Sequence, residues 1–371
     1  MPDRNFPLSR LEVGEPLPRD VRDANGTLLL REGHAATSDK QLETLMRHGS
    51  WSNTVVSVAD DQKYRARSPL ALVLAARRHL QALLIDPPPT AFVSELLRIA
   101  GEVRKACRAN ADVALASILM CRDEPYAIRH PVNVAIASYI TGNAMQLDAA
   151  TLTSTAAAAL TMNVGMLELQ EQLQTLPGTL SREQRAEVER HCDRGAALLR
   201  DYGVTDALWL EIVRDHHERP DGSGYPTGKT ADRLGVPTQL VSLADVYCAR
   251  VSERQHRPAM RPNAALRWLF LNEGTTLDEQ HAAMFIKTLG IYPPGTGVRL
   301  QNGSVGVVTH RGSSGQRPRI SSITTQDGSR ASTPIRRSED APGHAVSEVV
   351  DLDALGLNAN MQALWGADAV A

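Results

Sequence analysis

The stretch Asp215-His216-His217-Glu218-Arg219-Pro220-Asp221-Gly222-Ser223-Gly224-Tyr225-Pro226 decides how the rest of the chain is read. Two adjacent histidines precede a carboxylate, and a glycine-rich turn closes on a proline. Imidazoles ligate transition metals and exchange protons near neutral pH. Gly222 and Gly224 let backbone come close to a ligand, and Pro226 fixes the exit of the turn. A histidine pair alone is commonplace at a helix end. Followed by Glu and then Asp-Gly-Ser-Gly-Tyr-Pro, it is far more specific.

Outward from this stretch the text is helical. From residue 70 to residue 292 apolar residues recur at spacings of three and four, the period of an amphipathic helix. Leu70 to Leu84, Thr90 to Ala106, Ala111 to Met120 and Tyr126 to Ile140 form the first group, and Ala149 to Leu169 reads as one further helix. Ser181-Arg182-Glu183-Gln184 has the form of a capping box and opens a helix that carries His191. The next helix begins near Thr205 and runs into His216 and His217. Another spans Pro237 to Ser252, with proline at its first position, and carries Asp245. Pro262 to Leu271 and Asp278 to Leu289 complete the set.

Both ends of the chain change character. Residues 1–60 read as a small β-rich module with a hairpin turn at Asn25-Gly26, a short helix capped at Ser38-Asp39, and a strand at Val55, Val56 and Val58. Residues 61–69 are polar and read as a linker. Residues 293–345 read as a small β extension, with two strands joined by Gln301-Asn302-Gly303, and residues 346–371 as a tail. The expected class is mostly α, with small β-rich appendages at the N- and C-termini.

Composition narrows the function classes. Net charge is −2 and the isoelectric point about 6.6, so no global basic field draws the chain to nucleic acid. Cys107, Cys121, Cys192 and Cys248 form no CxxC pair, which fits reduced thiols in a cytoplasmic protein. The first residues lack the apolar segment of a secretory signal, and no apolar run is long enough for a membrane span.

Five candidate ligands fall on the helical text: His130 in YAIRHPVNVA, His191 in RHCDRGAALL, His216 and His217 in the opening stretch, and Asp245 in SLADVYCARVSERQHRP. Together, from Arg122 to Pro294, these segments resemble the HD-GYP proteins, a branch of the HD phosphohydrolase superfamily that hydrolyses cyclic di-GMP. The resemblance implies a helical bundle with two, sometimes three, divalent ions such as iron or manganese, which activate water for attack on phosphorus. It implies His130, His191, His216, His217 and Asp245 as metal ligands. It also implies that Arg254 and Arg257 hold the ligand's phosphates, and that Gly222, Gly224, Tyr225 and Pro226 form the loop lining the site.

Four positions depart from the family. Where its members carry the His-Asp pair, this chain has Met162 and Asn163, with Met166 in place of a lysine and Cys248 in place of a second aspartate. The aspartate lost at Asn163 is the one expected to bridge the ions. Asn carries no negative charge, and a thioether is a poor ligand for hard cations. The catalytic positions are therefore unassigned, and the expectation is one divalent ion or none. On this reading the chain is a cyclic di-GMP-binding or partner-binding regulator with weak or no hydrolysis, a diguanylate cyclase or another signalling protein being a candidate partner. The alternative is an active variant phosphodiesterase with a reduced metal site, releasing pGpG or GMP.

Overall fold

The computed structural model describes residues 17, 20–48, 50–51, 67–88, 90–167, 169–170, 181–253, 258–272, 279–312, 318–337 and 343–371. The expected strand at Val55, Val56 and Val58 lies outside the described residues, as do Arg254 and Arg257. The chain divides into two compact units, Pro69–Pro293 and a second made from both ends, Met1–Ser68 with Pro294–Ala371.

The terminal unit joins regions that read separately in the sequence. Val21–Arg22 (β1) pairs antiparallel with Leu28–Leu30 (β2) and with Ser50–Trp51 (β3). The β1–β2 turn uses Gly26 at a φ of 82°, a backbone that favours glycine. Asp39–His48 (α1) buries Leu42, Leu45 and Met46. A second sheet holds Gly297–Leu300 (β4), Val305–His310 (β5), Arg319–Thr324 (β6), Arg330–Arg337 (β7) and Val346–Val349 (β8), in the order β7-β6-β5-β4-β8. The presumed tail thus supplies an edge strand, and a short helix, Met361–Trp365, whose indole donates to Thr309 O at 2.9 Å. Ile335 of β7 packs with Leu17, Val21 and Leu42 in one apolar cluster. Ion pairs tie the ends as well: buried Arg337 meets Glu43 at 2.8 Å and His344 meets Asp39 at 3.1 Å.

The helical unit carries the site. Its elements are Pro69–Ile85 (α2), Phe92–Ala109 (α3), Ala111–Met120 (α4), Tyr126–Ala144 (α5), Ala149–Thr161 (α6), Arg182–Asp201 (α7), Ala207–Asp215 (α8), Val236–Arg250 (α9), Pro262–Asn272 (α10) and Glu279–Leu289 (α11). Most of α5 is buried, and Ala156 to Ala159 of α6 are at most 1% exposed. A helix apolar on nearly every side belongs inside a bundle, and small side chains let neighbouring backbones approach. Side-chain caps set several starts: Asn110 accepts from Asp112 N and Val113 N, Asp148 from Ala150 N and Thr151 N, and Asp206 from Trp209 N. Ser181 and Gln184 form the full capping box at the head of α7.

The single helix expected from Ala149 to Leu169 is corrected. Helix α6 ends at Thr161, Met162 and Asn163 form a turn, and Val164–Met166 follow as one 3-10 turn. Close backbone packing accounts for the break. A Cβ on Gly165 would stand 2.3 Å from His191 O and 2.6 Å from Gly195 N, so this turn seats directly on the backbone of α7.

Candidate functional site

Three histidines meet between α7 and α8. His191 sits in the middle of α7 and is fully buried. His216 caps the C-terminus of α8 and is fully buried, and His217 follows it with a side chain 19% exposed. One nitrogen from each ring can be chosen so that all three lie within 4.8 Å of one another. The local fold fixes the tautomers. His191 Nδ1 contacts Val188 O, and His216 Nδ1 lies 2.8 Å from Val213 O. A carbonyl only accepts, so both Nδ1 atoms carry the proton and both Nε2 atoms are left as acceptors, with Cys192 Sγ 3.6 Å from that of His191. Those two Nε2 atoms face each other across 3.4 Å.

Two opposed lone pairs in a buried place are unfavourable without a cation between them. The 3.4 Å spacing is close to the edge of a tetrahedron about a divalent ion, about 3.3 Å for ligand bonds near 2.05 Å. The donor set therefore fits a borderline divalent ion with nitrogen ligands. Burial depresses all three imidazoles. His191 falls to about 4, helped by the neighbouring His216. Burial also lowers His216, and it holds His217 well down together with His216. At neutral pH the rings are uncharged, the state a metal needs.

His130 and Asp245 stand beside this cluster and engage each other. Buried His130 on α5 donates Nε2–H to Asp245 Oδ1 at 2.7 Å, while its Nδ1 has no hydrogen-bond partner. Its ring stacks on Tyr126, with centroids 4.7 Å apart. Asp245 Oδ2 faces His217 Nδ1 across 4.0 Å. Burial opposes ionisation of Asp245, but the hydrogen bond and charge of His130 hold its carboxyl well below the usual range.

The glycine-rich loop is built around Glu218. This buried carboxylate accepts from Thr227 N at 2.6 Å, Thr227 Oγ1 at 2.7 Å and Lys229 N at 2.9 Å. Gly222 turns the chain at a φ of 79°. A Cβ on Gly224 would stand 2.4 Å from Arg219 N, so only glycine fits that crossing. The Tyr225–Pro226 bond is cis, and the Tyr225 ring stacks on His217 at 4.8 Å. Burial pushes the Tyr225 phenol up, so it stays protonated as a donor. Asp215 is fully buried between Lys229 Nζ at 2.5 Å and Arg214 Nε at 2.9 Å. Arg219 donates to Ser242 Oγ at 2.5 Å, anchoring the loop to α9.

The positions where the His-Asp pair was expected have another character. Met162 is fully buried and belongs to the main apolar cluster. Asn163 is 4% exposed. Cys248 packs in the same apolar cluster, and burial pushes its thiol well up, away from the thiolate a metal would bind. Among the described residues, the three-histidine cluster is the one group of at least three candidate ligands close enough to share an ion.

Sequence reasoning missed the supports. Tyr126 stands four residues before His130 on the same helix, a spacing that puts both on one face and could have been noticed. Glu218 belonged to the motif but had no assigned task. Asp215 with Lys229, and Arg219 with Ser242, join residues 14 and 23 apart through a loop with no periodic signal.

Residues 114–280 match the HD domain family. Cyclic di-GMP phosphodiesterase PA4108 of Pseudomonas aeruginosa is 27% identical over 290 residues, covering 77% of this chain and 68% of its own length. The 3'3'-cGAMP-specific phosphodiesterase 3 of Vibrio cholerae is 27% identical over 169 residues, 46% of this chain and 36% of its own length. Among solved structures, Bd1817, an HDGYP protein from Bdellovibrio bacteriovorus, aligns at 16% identity and a TM-score of 0.48, over 76% of this chain and 97% of that one. Over residues 114–280 the helical unit thus matches an HD domain. No described helix is long and apolar enough to cross a membrane.

Proposed function

We propose that this protein acts in cyclic di-GMP signalling as a binding or partner-docking regulator with weak or no hydrolysis. One observation carries the reading: the glycine-rich loop and the three histidines are fully built, while Met162 packs in the apolar core and Asn163 carries no charge. Relatives at this similarity are cyclic di-GMP and 3'3'-cGAMP phosphodiesterases, which supports a cyclic dinucleotide as the ligand class. Protein partners, a diguanylate cyclase among them, would meet the same loop.

His191, His216 and His217 would hold a divalent ion such as iron or manganese. When bound, it would supply a positive centre that polarises a phosphate oxygen. The chain's own part is orientation. The carbonyls of Val188 and Val213 fix two imidazoles. Tyr225 covers the third and offers a phenol donor. Glu218 keeps the loop closed over them. Gly222 and Gly224 leave space for a phosphate or a base to approach the backbone. Arg254 and Arg257 complete the proposed ligand contacts on the family pattern.

Calorimetry of the full chain with cyclic di-GMP and with 3'3'-cGAMP tests the reading, beside a turnover assay with manganese and with iron. Saturable heat with no linear product is the expected result, and no heat with either ligand would refute ligand binding. The second reading, an active variant phosphodiesterase, is supported by the intact three-histidine cluster. Steady release of pGpG or GMP would establish it instead.

A further inference from the structure

Two carboxylates beside the histidine cluster, Asp215 and Glu218, are already committed, and a third, Asp245, is half committed. A pair of cations about 3.5–4 Å apart needs negative charge between and around them. Asp215 is spent on Lys229 and Arg214. Glu218 is spent on Thr227 and Lys229. Asp245 accepts from His130 with one oxygen at 2.7 Å and turns the other toward His217 Nδ1 at 4.0 Å. Asn163 is neutral. Among the described residues, one group of three or more His, Cys, Asp or Glu side chains converges closely enough to share an ion, and it contains no carboxylate.

We propose that this site is mononuclear, and that Asp245 supports His217 from behind rather than ligating the ion. The proposal rests on the reading of the histidine cluster as a metal site. In this arrangement the Asp245 carboxylate draws the His217 proton to Nδ1 and leaves Nε2 for the ion, as outer carboxylates do for ligating histidines. His130 is one step further out. It locks Asp245 by its Nε2–H and is itself held flat against Tyr126. Two residues that the family pattern marks as ligands thus become positioning residues. Three nitrogen ligands with an open fourth position suit zinc, cobalt(II) or iron(II).

The test is a cobalt(II) titration of the chelator-stripped full chain, followed by visible absorption and by metal-to-protein ratio after desalting. The expected endpoint is one equivalent with a tetrahedral spectrum. Asp245→Asn keeps that endpoint and weakens cobalt binding by about 10–100-fold. His130→Gln moves it in the same direction by less. An endpoint of two equivalents in the unaltered chain overturns the proposal. So does a folded Asp245→Asn protein, by circular dichroism and thermal midpoint, that binds no cobalt. Should Asp245→Asn not fold, His130→Gln decides: folded with one weakened equivalent supports the proposal, and folded with none overturns it. No cobalt binding by the unaltered chain removes the metal reading as well as this one. One equivalent without cyclic dinucleotide heat removes the ligand assignment and leaves the single-ion site standing.

Discussion

The two sides of the histidine cluster contrast sharply. On the side of Asp215 to Lys229, every buried carboxylate has partners at hydrogen-bond distance, and two histidines are held by carbonyls. On the side of Met162 and Asn163, the chain contributes a core methionine and a buried amide. Both sides are buried, so burial and the supply of candidate ligands are separate properties. A buried polar network must be complete to be stable, whereas an apolar replacement needs only the right volume.

Replacing a histidine on the polar side breaks the contrast most directly. His191→Ala is expected to take metal content of the purified protein from near stoichiometric to near zero, read by elemental analysis. Retained metal would show that the ion lies elsewhere. Gly224→Ala attacks the loop instead, because its Cβ would strike Arg219 N at 2.4 Å. A loss of about 1–3 kcal/mol is expected from that clash, with loss of cyclic di-GMP heat. Unchanged heat would separate the loop from ligand binding.

The apolar side is probed by Met162→His combined with Asn163→Asp. Metal content should rise, while the metal-free protein loses about 1–3 kcal/mol for polar groups placed where packing was apolar. Thermal melts with and without manganese read both, and no gain in metal would mean that the lost pair lies elsewhere in the chain. A pH series is gentler still. His191 is held near 4 in the folded chain against an ordinary 6.5. The unfolded chain therefore binds more protons between those values, so stability of the metal-free protein is full above about 6.5 and declines as pH falls toward 4. A melting temperature flat from pH 7 to 4.5 would contradict that burial. The smallest expected effect is Ser181→Ala, which removes the cap of α7 and costs about 1 kcal/mol, with cobalt affinity unchanged.

Much of this was legible in the sequence because local rules wrote it. The Asn25-Gly26 hairpin, the Ser181 capping box and the proline opening α9 all follow from short-range chemistry. Three of the histidines that the resemblance marked do come together in the fold. Long-range pairing was not legible. Asp245 and His130 lie 115 residues apart, and nothing in either segment says that they bond to each other before they face a metal. The union of the two chain ends rests on Arg337, Glu43, Asp39 and His344, each ordinary in its own context. The break after Thr161 was hidden by an alanine-rich run that reads as continuous helix. Only the approach of Gly165 to Gly195 explains it.

That approach has a further consequence. The turn bearing Met162 and Asn163 is seated by main chain against main chain, through Gly165, His191 and Gly195, beside the apolar packing of Met162. Exchanging the side chains at those two positions would leave that main-chain seat in place, so the frame and the chemistry it carries can be varied separately.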